Sequence, residues 1–143
     1  MYRRILVPLE HTATDAHILE HVRPLARHLD AALVLVHVAD GFAARNVRQL
    51  ELRESEEIRD DRAYLEKLAA ELNADGLKAE SVLAAGDPAR EIIEAAAREK
   101  CDLIAMATHG HKLIGDVLYG SVASQVRHGT AVPVLMLRAK ASL

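Results

Sequence analysis

The chain has no tryptophan and one phenylalanine, and aromatic residues fill only 3% of its 143 positions. Any base or sugar it recognises must therefore meet aliphatic walls and backbone groups rather than stacked rings. Its single cysteine, Cys101, excludes an internal disulfide, and no basic start followed by an apolar run and a cleavage site opens the sequence. Together these set the expectation of a reducing, cytoplasmic setting. No stretch approaches the roughly 18 consecutive apolar residues of a membrane span, so a soluble protein without a membrane partner is expected. With 18 basic against 21 acidic residues, no excess of positive charge draws the surface to a phosphate backbone. Nucleic acid is not an expected partner.

What is present is half apolar, enough in a chain of this length to bury the core of one domain spanning residues 1–143. Short runs rich in Val, Ile and Leu at 3–9, 32–38, 80–84, 102–107 and 133–138 read as strands. Between them, apolar residues recur at helical spacing, as in Ile18, Leu19, Val22, Leu25, Ala26 and Leu29, or Ile92, Ile93, Ala96 and Ala97. Nearly continuous apolar strands are buried on both faces, and their alternation with helices demands right-handed crossovers and a parallel sheet. The expected class is α/β: one five-stranded parallel open sheet, Rossmann-like, with helices on both faces. The polar stretch from about Arg45 to Leu72, with Leu50, Ile58, Leu65, Leu68 and Leu72 on one face, reads as a long solvated helix that Asp75-Gly76 ends. Gly86-Asp87-Pro88 supplies a cap and a first-turn proline for the next helix.

Ligands of such sheets settle at the carboxyl ends of the strands, where strand order reverses. Two loops are therefore of interest. The first runs from Val7 to Asp15, with Thr12 or Thr14 available to cap the helix that follows. The second runs from Met106 to Val122 and contains Gly110, Gly115 and Gly120. Glycine lets backbone amides crowd a phosphate, and Gly120-Ser121 stands where a last helix is expected to begin, with free amides for an anion. Glycines alone equally describe ordinary turns. Neither the Walker pattern nor G-x-G-x-x-G occurs in the chain.

The arrangement resembles the universal stress protein family over nearly the whole chain. The second loop carries the likeness most specifically: nucleotide-binding members show Gly, two residues, Gly, nine residues, then Gly-Ser or Gly-Thr, and the matching positions are Ala107, Gly110, Gly120 and Ser121. The spacing is kept, with alanine for the first glycine. Arg4-Ile5-Leu6-Val7-Pro8, Val36-His37-Val38, Gly86-Asp87-Pro88 and Val132-Pro133-Val134-Leu135-Met136-Leu137 extend the match. The resemblance implies strand order 3-2-1-4-5 and an adenine nucleotide, ATP or AMP with or without Mg²⁺. It places Glu10, after Pro8-Leu9, near the ribose or adenine, where the family carries aspartate. By the same likeness Val38 offers backbone groups to the adenine, Pro8 and Met106 wall it, and amides around Gly110, Gly120, Ser121 and Val122 hold the phosphates. It also implies a homodimer through the strand Val132 to Leu137. Ala107 leaves two alternatives: its methyl meets the ribose or forces a positive φ at roughly 1 kcal/mol, or the backbone there is ordinary strand and alanine costs nothing.

Other residues invite chemistry and have plainer readings. His17, His21 and His28 recur along the first helix, but a zinc site needs further ligands that no Cys or acidic cluster supplies, so no metal site is expected. His109 and His111 flank Gly110, where an imidazole can meet a phosphate, and Lys112 either adds charge there or is a solvated loop lysine. Cys101 reads as a structural residue. The function expected from the resemblance is a cytoplasmic stress-response protein that binds an adenine nucleotide as a switch or sensor. Two alternatives stay open. One is slow ATP hydrolysis with Glu10, His109 or Asp116 orienting water, and with Asp116 and Ser121 as ligands for Mg²⁺. The other is a nucleotide-free dimeric scaffold.

Overall fold

The computed structural model describes residues 1–40, 47–109 and 114–139, with side chains described for all of these except 40, 47–55, 109, 114–120 and 139. Strands and helices alternate: β1 (Arg4–Pro8), α1 (Thr14–Leu29), β2 (Ala32–Asp40), α2 (Val47–Ala74), β3 (Lys78–Gly86), α3 (Pro88–Arg98), β4 (Leu103–His109), α4 (Ile114–Gly129) and β5 (Val134–Ala139). All four strand pairings are parallel, in the order β3-β2-β1-β4-β5. The order reverses between β1 and β4, which opens a crevice at their carboxyl ends.

Period-two alternation along each strand divides the core into two layers. Ile5, Val7, Leu33, Leu35, Leu103 and Ala105 lie under α1 and α2, against Ile18, Val22, Leu65 and Leu72. Leu6, Val34, Val36, Ile104 and Met106 lie on the other face, against Ile92, Ala96, Ala123 and Val126 of α3 and α4. Strands β1, β2 and β4 are therefore apolar on both faces, as a central parallel strand must be. Strand β3 is longer than the run at 80–84 because Lys78 and Ala79 at one end and Ala85 and Gly86 at the other still pair with β2.

Helix ends follow local chemistry. Asp87 accepts the Arg90 amide at 3.0 Å with Pro88 in the first turn of α3, as the cap and proline lead one to expect. At the end of α2, Leu77 donates to the Leu72 carbonyl at 3.0 Å while Gly76 turns with φ +89°, a conformation glycine adopts without strain. Of the expected apolar face of α2, Leu65 and Leu72 are buried and Leu68 half-buried. Ile58 is 38% exposed, and Leu50 is outside the described side chains.

Candidate functional site

The parallel register sets Pro8 opposite Val36 and Leu6 opposite Ile104, so Pro8, Glu10, Val38, Met106 and Ala107 all come to the carboxyl end of the sheet. Their side chains do not all face the crevice. Leu9 and Ala107 are packed into the layer under α1 and α2, and Met106, 1% exposed, into the layer under α3 and α4. A ligand over the crevice would meet these three through backbone, with Met106 as floor rather than wall. Pro8, Glu10 and Val38 are half-buried and present side-chain surface. Ser121 is exposed, its Oγ accepting from Gln125 Nε2 at 3.0 Å, and Val122 is half-buried against the α3 and α4 layer. His109 ends β4 opposite Ala139. Gly110, His111 and Lys112 lie outside the described residues, Gly120 falls within α4, and of the Asp116 side chain nothing is described.

The two alternatives for Ala107 are resolved on the backbone side. Among the described residues, positive φ outside glycine occurs only at His11, Asp30 and Lys100. Ala107 is ordinary strand, paired with Leu137, so its methyl carries no conformational cost.

Two expectations about caps need correction. Helix α4 begins at Ile114, not at Gly120-Ser121, because Ile114, Val117, Leu118 and Val122 already recur at helical spacing. Its first-turn amides, the ones left free in any helix, therefore lie upstream of Gly120. At α1 neither Thr12 nor Thr14 is the capping residue: Ala13 holds that position and has no side-chain cap. The Thr12 hydroxyl instead accepts the Thr14 amide at 3.3 Å and donates to Glu10 Oε2 at 3.1 Å.

Buried Asp15 organises the first loop, a role its place in the apolar stripe of α1 conceals. At 2% exposure, it accepts the Glu10 amide on Oδ1 at 2.8 Å, and on Oδ2 the His11 amide at 2.9 Å and the Tyr64 hydroxyl at 2.5 Å. Burial first, and then the bond to Asp15 and its charge, push the Tyr64 phenol up from its ordinary value, so it remains a donor. His11 stacks on the Tyr64 ring with centroids 3.9 Å apart and planes 16° from parallel. Its Nδ1 meets Asp61 Oδ1 at 2.7 Å. Asp61 Oδ2 lies 3.4 Å from His37 Nε2, and His37 Nδ1 lies 2.9 Å from the Leu9 carbonyl. A carbonyl only accepts, so that nitrogen carries the proton. His11 holds φ +63°, a left-handed conformation that costs a residue with a Cβ roughly 1 kcal/mol and persists where surrounding contacts over-determine it. His11, Asp15, His37, Asp61 and Tyr64 are the residues a motif search passes over. Their signal is polar residues at apolar positions: Asp15 three and four residues before Ile18 and Leu19, and His37 between Val36 and Val38.

Elsewhere, a shallow groove of about 310 Å³ between α3 and α4 is lined by Asp87, Arg90, Ile93, Glu94 and Gln125. Its two carboxylates and the engagement of Arg90 with Glu94 at 3.2 Å suit it poorly to a phosphate. Among the described residues no three His, Cys, Asp or Glu side chains are arranged to hold a metal ion, and no helix is long and apolar enough to cross a membrane.

The model of the universal stress protein family matches residues 1–138. The chain belongs to that family. Its relatives include universal stress protein MJ0577 of Methanocaldococcus jannaschii, 28% identical over 99% of this chain and 98% of the relative. MJ0531 of the same organism is 30% identical over 96% of this chain and 83% of its own length. The solved structure of MJ0577 superposes with a TM-score of 0.86 over 99% of both chains. The family fold also recurs in a universal stress protein solved in complex with cAMP, at 19% identity, 97% and 98% coverage and a TM-score of 0.71. It recurs again in the Archaeoglobus fulgidus protein in complex with dAMP, at 20% identity, 94% and 97% coverage and a TM-score of 0.69.

Proposed function

We propose that this chain, as one domain over residues 1–143, holds an adenine nucleotide in the crevice between the carboxyl ends of β1 and β4 and serves as a switch or sensor in a stress response. The observation that carries the reading is the reversal of strand order between β1 and β4, with Glu10, Val38 and the backbone of Met106 and Ala107 at that end. Val38 then offers backbone groups to the adenine and Pro8 an aliphatic edge, while Leu9 and Glu10 adjoin the ribose. The phosphates, of ATP or AMP with or without Mg²⁺, fall to His109, Gly110, Gly120, Ser121 and Val122. The relatives solved with cAMP and dAMP support the ligand class.

The reading extends to a cytoplasmic homodimer joined through Val132 to Leu137. Strand β5 is the last of the sheet, its Val134, Leu135, Met136 and Leu137 are half-buried, and an apolar edge of that kind is a hazard unless it is paired.

Calorimetric titration of the nucleotide-stripped protein with ATP, ADP and AMP, with and without Mg²⁺, tests the nucleotide reading. Saturable heat supports it and ranks the phosphates; no heat and no thermal stabilisation at millimolar ligand removes it. A second reading, a nucleotide-free dimeric scaffold, draws on Gly120 and Ser121 lying inside α4, where backbone amides are engaged in the helix.

A further inference from the structure

A connected set of polar contacts joins Asp15, His11, His37, Asp61 and Tyr64. It surrounds the first loop, where Tyr64 and Asp61 of α2 reach Asp15 of α1, His11 of the loop and His37 of β2. Four successive residues of that loop are each held by a separate contact. The Leu9 carbonyl meets His37 Nδ1 at 2.9 Å, and the Glu10 and His11 amides donate to Asp15 at 2.8 and 2.9 Å. The Thr12 hydroxyl donates to the Glu10 carboxylate at 3.1 Å. Asp15 is in turn fixed from outside by the Tyr64 hydroxyl, and the Tyr64 ring carries the stacked His11. A turn that only joins a strand to a helix does not need its backbone fixed from an element 49 residues away.

We infer that Asp15 and Tyr64 are positioning residues for sugar recognition: together they set the backbone on which Glu10 presents its carboxylate to the vicinal hydroxyls of a ribose. The inference rests on the nucleotide reading above and names the part of the ligand that this loop reads. A carboxylate is an acceptor for two neighbouring hydroxyls, and a sugar diol is matched by an acidic residue of this kind at the end of a strand in other nucleotide-binding sheets. Glutamate has one more rotatable bond than aspartate. Its selectivity therefore depends on how firmly its backbone and carboxylate are held before the ligand arrives, since ordering them afterwards subtracts from affinity. Both are held here, the backbone by Asp15 and one carboxylate oxygen by Thr12. Tyr64 acts one step further out. Its hydroxyl shares Asp15 Oδ2 with the His11 amide, and its face supports the ring of the residue that carries the unusual φ.

The test compares ATP with 2′,3′-dideoxyATP by calorimetry on the wild-type chain and on Asp15→Asn, Tyr64→Phe and Glu10→Gln. The wild type is expected to favour the ribonucleotide by about tenfold, the worth of one or two hydrogen bonds to a charged group. All three variants are expected to bring that ratio to within about twofold of unity while affinity for the dideoxynucleotide changes little. Tyr64→Phe keeps the ring over His11 and removes only the hydroxyl, so it reads the positioning even where Asp15→Asn fails to fold. A merely structural role would weaken both nucleotides alike and leave the ratio at its wild-type value, which overturns the inference. A wild type that binds both sugars equally overturns it too, and leaves the nucleotide reading standing. A wild type that binds neither nucleotide overturns both.

Discussion

Ala107 stands opposite Leu137 in the β4 to β5 register, and both contribute to the layer packed under α1 and α2. The position that the family resemblance matches to a glycine is therefore, in this chain, part of the core. Replacing Ala107 by glycine is expected to lower stability by about 1 kcal/mol, through added backbone freedom and a lost buried methyl. Nucleotide affinity should change by less than about twofold. A thermal melt beside a titration of the same variant checks this; tighter binding would mean that the alanine methyl does meet the ligand.

Asp102 ties the start of β1 to the start of β4 by accepting the Arg3 amide at 2.9 and 3.1 Å and the Arg4 amide at 3.0 Å. Burial pushes its carboxyl up, but the amide bonds prevail and hold it below the ordinary 3.8. A depressed carboxyl stabilises the fold fully above its unfolded value and loses that contribution as pH falls through the folded one. Asp102→Asn should therefore cost stability at neutral pH and flatten the decline below about pH 4. Denaturant melts across that range read the slope, and an unchanged acid limb in the variant would contradict the assignment.

Cys101 is buried, and burial, more than its charged neighbours, pushes its thiol up to about 11. It should resist a thiol reagent at pH 8 in the folded protein and react fully once denaturant is added, because the thiolate is the reactive form. Rapid labelling of the native chain would show that this end of β4 opens readily.

How much of this is visible in the sequence depends on the range of the interaction. Strands β1, β2 and β4 stand out because both faces are buried, and the Asp87-Pro88 start of α3 because its cap is three residues wide. The ends of β3 are hidden, since the exposed Lys78 at one end and Gly86 at the other join the ladder through backbone. The start of α4 is obscured by Gly120, which punctuates a sequence but is tolerated inside a helix at a cost of about 1 kcal/mol. Of the candidate site, Glu10 and Val38 are legible through the family resemblance, Glu10 just after β1 and Val38 near the end of β2. The clamp behind them is not, because Tyr64 and Asp61 reach Asp15, His11 and His37 only through the tertiary packing of α2.

The outer edge of β5 predicts self-association. Sedimentation at micromolar concentration should give a dimer, since the half-buried run from Val134 to Leu137 has only β4 beside it among the described residues. A monomer under those conditions would remove the dimer.

The most direct test of the central claim is a backbone amide spectrum of the isotope-labelled chain titrated with AMP and with ATP. The account predicts saturable shifts centred on Glu10, His11, Val38, Thr108, Ser121 and Val122, at the carboxyl ends of β1, β2 and β4 and along α4. Shifts confined to the groove between α3 and α4, or no shifts at millimolar nucleotide, would contradict it.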